Sequence, residues 1–98
     1  MVTVVLPAHL RNLANTGRQV ELDVGGRVSI GTILDELEAR YPMLKGTIRN
    51  HQGGERRAMI RFFAKGEDWS NSSMDDLLPP EVAQGETPLM IVGAIAGG

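Results

Sequence analysis

Residues 29–42 read Ser-Ile-Gly-Thr-Ile-Leu-Asp-Glu-Leu-Glu-Ala-Arg-Tyr-Pro, and their spacing decides the fold class. Ile30, Ile33, Leu34, Leu37 and Tyr41 recur at helical intervals, with Asp35, Glu36 and Glu38 on the other side. That is the pattern of an amphipathic helix with one face toward a core. Ser29 suits the N-cap, where its hydroxyl can accept from an otherwise unpaired backbone N–H. Asp35 and Glu36 fall in the N-terminal half, the better end for carboxylates. Pro42 stops the helix at about Arg40 or Tyr41, because the residue before a proline avoids helical dihedrals.

Outward from this helix the chain reads as strands. Val2–Leu6 is short, β-branched and closed by Pro7. Gln19–Val24 alternates, with Val20, Leu22 and Val24 on one face. Between them, residues 7–18 read as a loop, with room for one helical turn around Leu10 and Leu13. Met43–Asn50 has room for a second turn, and His51–Glu55 reads as a polar loop. Ala58–Ala64 reads as a strand, with Ile60 and Phe62 facing one way and Met59, Arg61 and Phe63 the other. Lys65-Gly66 is a turn, and Glu67–Trp69 a short return. Residues 70–86 are polar, broken by Pro79-Pro80 and Gly85, with a small apolar cluster of Met74, Leu77 and Leu78. Leu89–Val92 is the last strand. The order predicts an α+β fold of two layers, a four- or five-stranded sheet with one main helix on one face. Residues 1–92 are expected to form the domain and residues 93–98 a flexible C-terminal tail.

The 98 residues suffice for one modest core, and 42% apolar with 22% charged residues is ordinary for a globular chain. The longest apolar runs are too short to cross a membrane. No charged segment followed by an apolar run opens the chain, so no secretory leader is expected, and the expected location is cytoplasmic. A net charge of −2 argues against a general nucleic-acid binder. Charge is nonetheless uneven. Residues 40–61 carry six Arg and Lys against one Glu, whereas residues 66–98 carry six carboxylates and no Lys or Arg. Such segments are either solvated faces that offset one another or two docking surfaces of opposite sign.

No catalytic constellation is visible. The chain lacks cysteine, phosphate-binding glycine motifs and a nucleophile-elbow motif. His9 and His51 lack local metal-ligand spacing and read as exposed loop residues. No catalytic residue, metal ligand or bound cofactor is expected. What remains is the ending, Gly93-Ala-Ile-Ala-Gly-Gly98. A frayed terminus is the ordinary alternative. Glycine has no Cβ, so Gly97 and Gly98 can enter a channel too narrow for side chains. Six extended residues reach about 20 Å. A terminal carboxylate could therefore sit in a partner's active site while the body docks outside. A carboxylate reacts as an electrophile only once an oxygen becomes a leaving group, for example by adenylation with ATP. Such a chain is a substrate or carrier rather than an enzyme.

On these features the chain resembles the MoaD/ThiS family of ubiquitin-like sulfur carriers. The matching segments are the strand Val2–Leu6, the Leu10-Arg11-Asn12-Leu13 stretch, the helix Ile30–Pro42, Arg61–Asp68, Gly85-Glu86 and above all Ala94-Ile95-Ala96-Gly97-Gly98. The resemblance implies a β-grasp fold. It implies that an ATP-dependent adenylating enzyme of the MoeB/ThiF kind activates Gly98, and that sulfur then replaces AMP to give a thiocarboxylate. A sulfur-accepting enzyme, such as a cysteine synthase or the large subunit of molybdopterin synthase, would take that sulfur for cysteine, molybdopterin, thiamine or a tRNA base. No nucleic acid or membrane partner is implied. Gly97, Ala96, Ile95 and Ala94 would thread the channel. The sheet face near Phe63 and Met90 would be the docking patch, the alternative being that both residues are buried in the core. A protein modifier, joined to target lysines through the same Gly98, shares the activation step. A plain interaction domain with an idle tail is the third reading.

The sequence departs from the family at Gly93, where members often carry proline, so a looser exit is expected. It departs again at Trp69–Ser73, which is longer and more polar. Leu6-Pro7, the long first loop and the insertion near residues 50–57 look more like the carriers that feed cysteine synthesis.

Overall fold

The structure is a computed structural model that describes residues 1–93. Five strands form one mixed sheet in the order β2-β1-β5-β3-β4. They are β1 (Val2–Val5), β2 (Gln19–Leu22), β3 (Ile60–Ala64), β4 (Glu67–Asp68) and β5 (Leu89–Gly93). β1 and β5 run parallel at the centre, and the remaining pairs are antiparallel. The helices are α1 (Ala8–Ala14), α2 (Ile30–Arg40) and α3 (Pro80–Ala83), with a 3-10 turn at Pro42–Leu44.

The sequence places α2 correctly for local reasons. Ser29 Oγ accepts from the Thr32 N–H at 3.2 Å, while Thr32 Oγ1 accepts from the Ser29 N–H at 2.9 Å. Threonine here does the reciprocal work that glutamate does in the usual capping box. Ile30, Ile33, Leu34 and Leu37 are buried. They meet the inward residues of the strands, Val2, Val4, Val20, Leu22, Ile60, Phe62, Leu89 and Ile91, in one continuous core. β1, β2, β3 and β5 alternate between this core and the outside, as period-2 geometry requires, while both residues of β4 are exposed.

Five local readings differ from the structure. The first loop contains a two-turn helix, α1, whose buried residues are Leu10 and Ala14, an i, i+4 pair. Leu13, paired with Leu10 in the sequence reading, faces out at 48% exposure, and His9 therefore lies on a helix rather than a loop. Asn15, at φ 54°, closes α1 in the left-handed conformation that asparagine tolerates. Pro79-Pro80 starts a helix instead of breaking the chain. Proline is favoured in the first helical turn because its missing N–H would have no partner there. In the 70s loop, Leu78 is buried and Met74 packs against the core, but Leu77 is exposed. β2 ends at Leu22 rather than Val24, and β5 runs one residue further than expected, to Gly93, which pairs with Ile60.

Two long loops are tied down by polar contacts. The Arg49 guanidinium reaches Asp35 at 2.6 Å and Glu38 at 3.0 Å, clamping the segment after the 3-10 turn to α2. Burial alone would lower the Arg49 pKa, but the hydrogen bonds to Glu38 and Asp35 outweigh it and raise it. At the opposite edge, buried Ser70 accepts from the Phe62 N–H through Oγ at 2.9 Å, and its own N–H donates to Asp68 at 2.8 Å. Ser70 is the main reason that the Asp68 carboxyl lies below the ordinary carboxylate range, with Arg61 assisting.

Gly85 follows α3 at φ +78°, and its Cα abuts the Met1 carbonyl so closely that a Cβ would overlap it. Gly85→Ala therefore meets both a left-handed dihedral and a backbone clash, and should cost about 1–3 kcal/mol in urea unfolding. Leu37→Ala, which empties a fully buried site, should cost about 2–5 kcal/mol by the same measurement. Ser70→Ala should move the Asp68 titration up toward the ordinary range near 3.9, as read by carboxyl NMR. Because a depressed carboxyl stabilises the fold above its unfolded pKa and ceases to do so as pH falls through its folded pKa, this variant should be less stable than the wild type above about pH 4, with the difference closing as pH falls further.

Candidate functional site

The helices and the core lie on one side of the sheet, and the opposite face is open. Its middle is apolar. Val5 of β1 stands beside Met90 of β5, and Met90 beside Phe63 of β3. Gln19 and Asp68 flank this row on the outer strands. Val92 extends the apolar area along β5. Phe63 and Met90, singled out from the sequence, are thus cross-strand partners on the outer face. Their neighbours Phe62 and Ile91 are the buried ones, so the core alternative fails. Met90 is 36% and Val92 39% exposed. Val5 and Val92 were missed. The available signal was the unbroken Leu89-Met90-Ile91-Val92 run, since a strand with one solvated face should alternate.

A shallow depression of about 290 Å³ sits in this area, floored by Phe63, Met90 and Val92 and bordered by Pro88 and Lys65. Its volume is near the lower limit for small-molecule pockets and suits an inserted side chain. Lys65 Nζ lies 2.7 Å from Glu81, and Arg61 lies 3.1 Å from Asp68. The hydrogen bond to Glu81 raises the Lys65 pKa, and Lys65 in turn lowers that of Glu81.

Most arginines of the basic segment make defined contacts within the fold. Arg40 donates to the Glu21 carbonyl, Arg56 to the Ser70 and Ile60 carbonyls, and Arg57 to the Gly46 carbonyl. Arg49 and Arg61 hold carboxylates. Arg40, Lys45, Arg57 and Arg61 are exposed, so these hydrogen bonds fasten loops without removing the positive charge from the surface.

β5 carries the chain from the apolar face to the end of the sheet. Gly93 is its last residue, and the His9 imidazole of α1 stands against the Gly93 Cα. Gly98, Gly97, Ala96, Ile95 and Ala94, the proposed attachment and threading residues, lie outside the described residues. Among the described residues, no group of three or more His, Asp or Glu is placed to hold a metal. Likewise among them, no helix is long and apolar enough to cross a membrane.

No family model and no curated protein sequence matches the chain. Solved structures do. SAMP1, a small archaeal modifier protein from Haloferax volcanii, is 25% identical over 99% of this chain and 98% of its own, with a TM-score of 0.76. CysO in the BexX/CysO complex of Amycolatopsis orientalis is 23% identical with all of both chains covered and a TM-score of 0.77. CysO of Mycobacterium tuberculosis is 21% identical over 97% of this chain and 100% of its own, with a TM-score of 0.76. The chain has the ubiquitin-like β-grasp fold, and the resemblance read from its sequence holds at the level of that fold over its whole length.

Proposed function

We propose that the chain is a sulfur carrier that is activated at Gly98. The observation that carries this reading is the continuity of three features along one strand. β5 contributes Met90 and Val92 to the open apolar face, ends at Gly93, and leads into Ala-Ile-Ala-Gly-Gly. A partner that grips the outer face thereby meets a chain whose glycine ending follows β5 by a fixed number of residues. The neighbouring CysO held in a complex with BexX supports a protein whose work is done with partner enzymes. The chain is a substrate in this reading, and the catalytic groups belong to its partners.

The chemistry balances as follows. The Gly98 carboxylate attacks the α-phosphorus of ATP on an adenylating enzyme, and pyrophosphate leaves. Sulfur at the oxidation level of sulfide then attacks the acyl carbon, and AMP leaves. A thiocarboxylate remains for an accepting enzyme in cysteine, molybdopterin or thiamine synthesis. The absence of cysteine means that the sulfur comes from a donor outside this chain. The modifier reading shares the first step and has its own support in the likeness to SAMP1. In that case a target lysine amine attacks the same acyl carbon, AMP leaves and an isopeptide bond forms.

The decisive test exploits the missing cysteine. Protein isolated from its own cells should take up one thiol-selective alkylating group at neutral pH, mapped by mass to Gly98. A native protein that stays unmodified even after incubation with ATP, a sulfur donor and the adenylating enzyme would overturn the carrier reading, and lysine conjugates in cell extract would favour the modifier. Met90→Asp places a charge in the apolar row without touching the core. It should raise the KM for adenylation by roughly fivefold or more, as for loss of an interface anchor worth about 1–3 kcal/mol, with an unchanged thermal midpoint.

A further inference from the structure

We infer that His9 is a positioning residue for the activated tail, acting through Gly93. The inference rests on the carrier or modifier reading, since both need the carboxyl delivered to an adenylating site. β1 and β5 are parallel, in register at Val4 with Leu89 and Val5 with Met90. Their C-terminal ends therefore point to the same edge of the sheet. There the chain turns through Pro7 into α1, and β5 delivers Gly93. Pairing with β1 stops at Met90, so at Gly93 the strand is held by β3 alone, through Ile60.

His9 supplies the contact that β1 does not. It is the second residue of α1, and its neighbour Leu10 is 1% exposed, which anchors the helix at that point. The imidazole occupies the volume that a Cβ would take at Gly93. Cε1 is the nearest ring atom, and Nδ1 and Nε2 both lie 3.3 Å from that position. Gly93 is not among the glycines with positive φ, so its backbone does not require glycine. The requirement comes from the ring. A flat, exposed side chain on a helix anchored by buried Leu10 and Ala14 thus walls the root of the tail, in a place where a side chain at position 93 would push it away. The looser exit expected from glycine at this position is offset by that wall.

The consequence is geometric. Residues 94–98, if extended, form a lever about 17 Å long. Any swing at its root is magnified at the carboxyl, and misplacement of a reacting group by about 1 Å can cost up to 10²-fold in rate. Docking by the outer face sets how tightly the body is held, whereas the root sets how often the carboxyl is aligned. The two roles separate in KM and kcat.

The test uses the full chain with ATP and the adenylating enzyme, read by pyrophosphate exchange, alongside proton NMR of the free protein. A nuclear Overhauser effect from the His9 ring to the Gly93 α-protons is expected in the wild type, and its absence overturns the inference whatever the activity. His9→Ala should lower kcat by about three- to tenfold with KM and thermal midpoint unchanged. Gly93→Ala, which evicts the ring, should do the same, and the double variant should lose no more than either single one. His9→Phe, which keeps a flat ring without a titratable proton, should retain most of the rate. Additive losses in the double variant, loss through KM, or full activity of His9→Ala would each overturn the role of His9. Failure of the wild type to be activated at all would instead remove the functional reading on which that role rests.

Discussion

The parallel pairing of β1 with β5 is the contact on which the rest of the structure depends. Parallel neighbours cannot be joined by a tight turn, so the whole intervening chain must be routed around them. Here that chain supplies α2 over one face and the strands β2, β3 and β4 on either side. Both central strands are almost wholly apolar, although only one of their faces meets the core. The pairing also brings the two ends of the described chain to the middle of the fold. It turns the end of β5 toward the same edge from which α1 departs.

The sheet has five strands and only one face covered. The inward residues find partners in α2, α1 and α3, in one continuous core. The outward residues do not follow the usual rule that a solvated face is polar. Phe63, Met90 and Val92 remain partly open to water, an arrangement that is unfavourable for an isolated molecule and favourable for one that docks. The charged pairs Arg61–Asp68 and Lys65–Glu81 lie near this area. Exposed pairs of this kind contribute little to stability, and their charges are available to orient a partner.

The arginines show how composition misleads when read without geometry. Their clustering between residues 40 and 61 looks like a basic surface. Long loops in a small domain, however, leave carbonyl groups without regular partners. The planar five-donor guanidinium is the side chain best suited to collect them. Arg40, Arg56 and Arg57 do this, and Arg49 joins a loop to α2. The cluster is the fastening of the irregular half of the chain.

Ser29–Pro42 and the alternating strands were legible in the sequence because their signals are local: a cap, a 3.6-residue or two-residue period, and a proline stop. The same is true of the glycine ending, which is a motif whatever the fold around it. The helices at Ala8–Ala14 and Pro80–Ala83 were not legible, since each is short and its stability comes from burying Leu10, Ala14 or Val82 against a core that no local pattern describes. Which of Phe62 and Phe63 faces outward relative to the core, and that Val5, Met90 and Phe63 form one row, depend on register between strands far apart in sequence. The meeting of His9 with Gly93 likewise joins residues 84 positions apart through the parallel pairing. The sequence by itself determined the fold class and the presence of a glycine ending. Only the tertiary structure decided which face is open and what stands at the root of the tail, because strand register and burial are set by contacts between segments and not within them.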